Sequence, residues 1–382
     1  VRNADLPLLD DETLTAATAQ RQHLAARTTG DVETIATHLL GLQAQEPYEA
    51  FVGLWSRLGG FATADLTAAM DERRVARTHT MRRTVHLHTR ADALALRAIH
   101  DEMLRRRTAD IVRQVRGADG VTIPVDLDVL ERLARPPLDA APRQLADLGR
   151  EIAEPFAPAP PRSLGDAAIG VVPLVQVPPR GTWGRRGPAA YTTYGAWWGE
   201  EPLALGETDA LAERSGVVLR YLAAYGPAAT ADVRAWSGAS GFPEAVAALG
   251  DRVQRYRDER GRVLLDVGGR EVLDPSLPNR AADLPVRFLP AFDNAVLGYH
   301  DRSRVIDDEH KPLSVGGARY VLVAGRATAT WTAPLGGLTE DPVTVEVTPL
   351  RRLTRGERAA VREEGHALAT FLGGRAGRVT FD

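Results

Sequence analysis

Two amide side chains, Gln43 and Gln45, lie in the segment Gly41-Leu42-Gln43-Ala44-Gln45-Glu46-Pro47-Tyr48, between two stretches of helical periodicity. Residues two apart diverge on a helix but share a face of an extended strand. Gly41 and Pro47 favour a non-helical backbone here, which lets both amides aim at one point. Two amides supply acceptors and donors, enough to hold one water and one sugar or base oxygen. An isolated Gln-x-Gln also fits helix capping or solvent contact, so its meaning depends on what surrounds it.

The residues Arg73, Arg74, Arg77, Arg82, Arg83 and Arg90, with His79, His86 and His88, concentrate positive charge around Arg77 to Thr89, whose alternation predicts paired strands. Such strands can lay Arg77, Arg82 and Arg83 against phosphates, with His86 and His88 beside them. Alternation puts Thr84, His86 and His88 on one face and Arg83, Val85 and Leu87 on the other. His86 and His88 lack a third ligand nearby, so no metal is expected.

The loop Pro178–Gly187 can be read in two ways. It grips a DNA backbone through Arg180, Arg185 and Arg186 and stacks Trp183 on a base, or it is an ordinary wing packed on the body. Further on, Leu289–Arg302 is dense in polar groups. Asp293 or Asp301 could act as a base, although pairing with Arg302 or Arg304 to pin a turn is the preferred reading. There is no Gly-rich nucleotide fingerprint, His-Glu-x-x-His or Gly-x-Ser-x-Gly, so hydride transfer, zinc hydrolysis and serine hydrolysis lack support, and no cofactor is expected.

The elements that must position these residues repeat a coarse pattern. Helical periodicity runs over 11–27, from Gly30-Asp31 to near Gly41, from Pro47 to Gly59-Gly60, and from Thr63 to about Arg73, ahead of the Arg77–Thr89 hairpin. Helices followed by a hairpin form the pattern of a winged helix. Residues 208–267 give a clearer copy, with Pro243–Leu249 as candidate recognition helix and a hairpin turning at Gly261. Residues 125–198 give a looser one: helices at 125–135 and 142–153, a Pro-rich connector at 155–161, then apolar strands. Beyond Val286, strands are predicted around Phe288–Phe292, Tyr320–Trp331 and Val343–Val347, with a helix from Thr354 to Leu372. The expected fold is α+β. Three tandem winged helices (1–118, 119–203, 204–280) form a concave body, and a mixed α/β region (281–382) packs on it.

Composition narrows the function. The net charge of −3 argues against wrapping long DNA, while leaving room for a local basic channel. Lys311 is the only lysine, so arginine supplies the cations, as codon bias alone would also arrange. Without cysteine the chain has no disulfides or thiolate metal sites and suits a reducing cytoplasm. The first ten residues carry no export signature and no membrane-length apolar run follows, so a cytoplasmic protein is expected.

Taken together and in this order, Gln43-Ala44-Gln45, the Arg82–His88 hairpin, Pro178-Pro179-Arg180-Gly181-Thr182-Trp183-Gly184 and Leu289-Pro290-Ala291-Phe292-Asp293 resemble the AlkZ/YcaQ family of winged-helix DNA glycosylases. The resemblance spans nearly the whole chain. Its YcaQ branch is similar but has Asp at the second amide position, where this chain has Gln45, which points to the AlkZ side. The resemblance implies catalysis by Gln43 and Gln45 at the centre of a DNA channel. It also implies a monomer acting on double-stranded DNA alkylated at guanine N7, including bulky natural-product adducts and interstrand crosslinks. N7 alkylation leaves guanine cationic and the glycosidic bond weakened, so amides need only position water and stabilise an oxocarbenium-like state. A chain with one lysine is expected to be a monofunctional hydrolase. A winged-helix transcription regulator without chemistry is the alternative, and a binding-only protein that sequesters a DNA-damaging metabolite a third.

Overall fold

The computed structural model describes residues 3–116, 120, 122–337 and 342–382. A short strand, β1 (Leu8–Leu9), leads into α1 (Asp11–Arg21), where the Asp10 carboxylate accepts from the Thr13 amide at 2.7 Å. Asp31 caps α2 (Val32–His38) in the same way. Each cap satisfies an amide that the first helical turn leaves unpaired. Next come β2 (Leu42–Gln43), α3 (Glu49–Trp55), buried along its whole length, and α4 (Thr63–Asp71). The hairpin β3 (Val75–His79) and β4 (Val85–Thr89) feeds directly into α5 (Arg90–Val112), a 23-residue helix capped by Thr89.

The middle of the chain holds α6 (Leu127–Ala140), β5 (Arg143–Gln144), α7 (Leu145–Glu151), α8 (Pro161–Val171), β6 (Leu174–Gln176), β7 (Ala190–Thr193) and α9 (Tyr194–Trp198). Two sequence expectations change here. Instead of ending near 135, α6 continues through Pro136 and Pro137, because Leu130, Ala134 and Leu138 form one buried stripe while Pro136 faces solvent. Where apolar strands were expected after the Pro-rich connector, α8 is a helix. Pro161 occupies its first turn, a position that needs no amide donor, and Leu164, Ala168 and Val171 are buried at helical spacing. The expected boundary at 118/119 lies outside the described residues.

Next in sequence are α10 (Glu207–Tyr225), α11 (Thr230–Ser237), α12 (Phe242–Ala248), β8 (Val253–Asp258) and β9 (Val263–Val267), the last two reversing around Gly261. The C-terminal part comprises β10 (Arg287–Phe288), α13 (Asn294–Leu297), α14 (Lys311–Val315), β11 (Arg319–Val323), β12 (Arg326–Thr332), β13 (Thr344–Pro349), α15 (Arg355–Gly373) and β14 (Arg378–Phe381).

Three sheets organise these strands. The largest has the order β2-β4-β3-β6-β7-β5, so the first hairpin continues into the second through Arg77 opposite Gln176 and Thr78 opposite Val175. A five-stranded sheet, β10 to β14 in order, packs its apolar face against α15, while β1 adds in parallel to the β8–β9 hairpin. One hydrophobic core joins α2–α5 to α10–α12 and includes Tyr221, Tyr225, Trp236 and Tyr299. A second lies among α6, α7 and α8. Among the described residues no helix is long and apolar enough to cross a membrane.

The turn out of α2 decides where the Gln segment goes. Gly41 has φ +97°, and a Cβ there would stand 2.3 Å from His88 Cε1 and 2.4 Å from Nδ1. The missing side chain therefore lets β2 lie against β4. Gly41→Ala is expected to lose about 2 kcal/mol or more from combined backbone strain and overpacking. Urea unfolding measures this, and an unchanged midpoint would mean that the turn relaxes freely.

Candidate active site

Beyond Gly41 the chain is extended. Leu42 stands opposite Leu87, Gln43 opposite His86, and the Ala44 amide donates to the Val85 carbonyl at 2.9 Å. The backbone is thus non-helical, with Gln43 in the strand opposite His86 and Gln45 in the bend just beyond it. Gln43 is buried and Gln45 exposed. Each amide oxygen already holds a protein donor: Gln45 Oε1 accepts from the Val85 amide at 3.1 Å, and Gln43 Oε1 accepts from Arg82 Nη2 at 2.9 Å. A carbonyl oxygen has two acceptor directions, so each can take one more donor. Neither Nε2 has a protein acceptor among the described residues.

Arg82 sits in the turn between β3 and β4, where it and Arg83 both adopt left-handed backbone, φ +55° and +61°. Two consecutive non-glycine residues of this kind cost on the order of 1–3 kcal/mol each and persist only where packing imposes them. The packing comes from α11. Gly238 at its end approaches so closely that a Cβ would meet Arg82 Cγ at 3.0 Å and Cα at 3.1 Å. From this position Nη2 also donates to Asn294 Oδ1 at 3.1 Å, and Nη1 donates to the Trp236 carbonyl. All three acceptors are neutral. Burial, with repulsion from Arg302, lowers the Arg82 pKa to about 10, so it remains a cation at neutral pH.

Gln43 and Asn294 also border a narrow cavity lined by Gln22, Arg57, Tyr225 and Asp293. Its volume is about 10 Å³ measured to the centre of a water-sized sphere, room for about one water. Two buried amide donors on this wall, Gln22 Nε2 and Asn294 Nδ2, lack a protein acceptor. Asp293 does not act as a free base here. Its two oxygens take a fork from Arg57 at 2.8 and 2.9 Å, and Oδ1 also caps α13 by accepting from the Ala295 amide. Asp301 lies elsewhere, among Arg260, Arg262 and Lys311, and accepts from the Ser303 amide. Burial raises its pKa, but that bond and the arginines outweigh the effect and lower it. Both aspartates are thus held by cations other than the expected Arg302 and Arg304.

The expected phosphate-facing hairpin is instead interior. Arg77 is 2% exposed because β3 is covered on both faces. Nη2 donates to the Ala44 carbonyl at 2.7 Å and Nη1 to Gln176 Oε1, so Arg77 bolts the Gln segment to β6. His86 and His88 are fully buried with stacked rings, 5.7 Å between centroids, and His88 Nε2 bonds Thr80 Oγ1 at 2.8 Å. They pack against the strand that carries Gln43 and face no phosphate. Arg83 donates to the Asp166 carbonyl at 2.8 Å. In the 178–187 loop, Trp183 is half-buried against Phe51, Tyr48 and Phe371, and Arg185 pairs with Asp71 at 2.8 Å, as a packed wing would have them. Arg180 and Arg186 have no carboxylate partner among the described residues.

The accessible positive charge lies where sequence reasoning did not place it. Arg106 and Arg107 of α5, Arg234 of α11, Arg82 and His300 line a cleft of about 870 Å³ that has no carboxylate in its wall. Arg106, Arg107 and Arg234 are exposed and unpaired among the described residues, whereas neighbouring Arg105 is tied to Asp128 and Glu131. The signal was the run Arg105-Arg106-Arg107 on a helix announced by Thr89, with Leu96, Ile99, Met103 and Leu104 buried at helical spacing. Among the described residues no group of three or more His, Asp or Glu side chains is placed to hold a metal ion.

The sequence and the α+β scaffold both match a known class. The family model of AlkZ-like DNA glycosylases covers residues 36–371, and the chain belongs to this family. Among solved structures, that of the Streptomyces sahachiroi DNA glycosylase AlkZ is similar in fold, with a TM-score of 0.71 at 21% sequence identity over 98% of this chain and 100% of that one. No curated protein matches the chain.

The buried imidazoles give the site a pH dependence. Burial lowers the pKa of His79 to about 3 and of His88 and His100 to about 4, and drives His86 well below its ordinary value. Their unfolded values are near 6.5, so between about pH 6.5 and 4 the unfolded chain binds protons that the folded one refuses. Stability is therefore expected to be intact above about pH 6.5. Below it, each histidine removes at most about 1.4 kcal/mol per pH unit. Urea midpoints from pH 7.5 to 5 check this, and a flat profile would show that the folded state accepts these protons.

Proposed function

We propose that this chain is a monofunctional DNA glycosylase of the Gln-x-Gln branch. It hydrolyses the N-glycosidic bond of N7-alkylated guanine, including bulky natural-product adducts and interstrand crosslinks, in repair or self-resistance. The observation that carries this reading is the contact of Gln43, within Gln43-Ala44-Gln45, with Arg82, which lines a carboxylate-free arginine cleft. The architecture is read as three winged helices (1–118, 119–203 and 204–280) with 281–382 packed on them, acting as a monomer.

In the reaction, the C1′–N9 bonding pair moves onto the base and neutralises its N7 cation, water adds to C1′, and the water proton leaves to solvent. The leaving group needs little acid, so the protein's part is to hold water and shape the field around an oxocarbenium-like centre. The free acceptor directions on Gln43 and Gln45 can orient that water. The cavity beside Gln43 holds about one water and no base, which supports attack on a lesion that stays in the duplex over flipping. Lys311, the one lysine, pairs with Asp308 and Asp301 away from this wall, consistent with hydrolysis rather than Schiff-base chemistry.

The regulator alternative needs a helix that reads base edges. The exposed face of α12 is Pro243, Glu244, Ala247 and Ala248, with none of the Arg, Asn or Gln side chains that read the major groove.

Duplex DNA containing N7-methylguanine, followed by alkaline cleavage of abasic sites, tests the proposal. Wild type is expected to yield strand breaks, and Gln43→Ala and Gln45→Ala to slow them on the order of 10²–10³-fold. No product from wild type refutes the enzyme, and undiminished product from Gln45→Ala moves the chemistry elsewhere. Arg106→Ala and Arg107→Ala are expected to weaken binding and to reduce the slope of log affinity against log salt by about one for each phosphate no longer neutralised. An unchanged slope would take DNA out of the cleft.

A further inference from the structure

We infer that Arg82 is a positioning residue that links a DNA phosphate in the cleft to the amides of Gln43 and Asn294, with Asn294 the third amide of the site. This rests on the glycosylase reading above. The geometry has three parts. First, one nitrogen, Nη2, holds both Gln43 Oε1 and Asn294 Oδ1, at 2.9 and 3.1 Å. A guanidinium there fixes which way each amide faces, oxygen toward the cation and NH2 away from it. Second, Asn294 is 5% exposed and its Nδ2 has no protein acceptor, although it borders the one-water cavity beside Gln43. A buried donor with nothing to bond is costly unless an acceptor arrives.

Third, Arg82 has no counterion. Its acceptors are two amide oxygens and a backbone carbonyl, yet it also forms part of the cleft wall beside Arg106, Arg107 and Arg234. A bare guanidinium next to an oxocarbenium-like centre would oppose the reaction, since both carry positive charge. A phosphodiester in the cleft removes this conflict by neutralising the cation from the other side while leaving its fork on the amides. The site then has correct charge and correctly turned amides only when a DNA backbone is present. Arg82 touches no reacting atom; it acts through Gln43 and Asn294.

Single-turnover cleavage of N7-methylguanine duplex and DNA affinity are measured separately. Arg82→Lys keeps the charge but loses the fork. It is expected to bind DNA within about threefold of wild type and to lower the cleavage rate on the order of 10²-fold, the effect of misplacing a positioned group. Methylguanidinium is expected to restore part of the activity of Arg82→Ala, which a purely structural defect would not allow. Replacing either phosphate flanking the lesion, in turn, by a neutral methylphosphonate is expected to slow wild type at one of the two positions and to slow Arg82→Lys no further there. Additive losses would mean that the phosphate does not act through Arg82. Should Arg82→Lys fail to fold, Asn294→Asp, which offers the guanidinium a carboxylate and draws it from Gln43, is expected to cut the rate about tenfold with the melting temperature kept. A wild-type rate in either folded variant, or a loss in Arg82→Lys confined to affinity, overturns the inference. An inert wild type instead refutes the glycosylase reading on which it rests.

Discussion

A single half-buried guanidinium, bonded only to neutral oxygens, holds three distant parts of this chain together. Arg82 reaches the Gln43 amide on β2, the last turn of α11 through the Trp236 carbonyl, and the head of α13 through Asn294. Its turn keeps two left-handed residues in place because α11 presses Gly238 against it. The first hairpin, the third helical group and the C-terminal region therefore meet at one charge. Elsewhere in the interior, Arg57 with Asp293 and Arg21 with Asp266 form buried pairs that satisfy their own charges. Arg82 alone of these three lacks a carboxylate, which sets it apart from the ion pairs that simply hold the fold.

The same contrast explains how a chain of net charge −3 belongs to a DNA glycosylase family. Many arginines are neutralised by neighbours: Arg74 by Glu33 and Glu72, Arg90 by Glu200, Arg135 by Glu131 and Glu201, Arg260 by Asp11. Those of α5 and α11 that face the cleft are left bare. Net charge is a sum over the surface, whereas a local field depends on which cations keep no partner.

The extended backbone at Gln43 was legible in sequence, whereas the burial of Arg77, His86 and His88 was not, for specific reasons. Gly41 and Pro47 around Gln43-Ala44-Gln45 correctly signalled an extended backbone, since their dihedral limits act locally. Helix starts are likewise local: α1, α2 and α15 begin at or one residue beyond the expected Asp11, Asp31 and Thr354. What sequence misplaced depends on long-range burial. Alternation correctly put His86 and His88 on one face, but nothing local says that this face turns inward against Gly41. Arg77 read as a phosphate contact because arginine is usually exposed; its partners, Ala44 and Gln176, are 33 and 99 residues away. The Pro-rich stretch ahead of α8 hid a helix because proline marks breaks and first turns alike. The run Arg105–Arg107 went unused because α5 itself was not recognised.

The register of Arg77 opposite Gln176 joins two hairpins that sequence patterning assigns to separate modules. Their hydrogen-bond ladders are shared, so neither half is complete without the other. Expressing one segment alone would strip β3 or β6 of its neighbour and leave a raw strand edge, a template for pairing with other chains. The repeat-like layout thus does not confer modularity: recombination among such units would have to preserve the seam, and shuffled or truncated versions would tend to aggregate rather than fold as smaller working proteins.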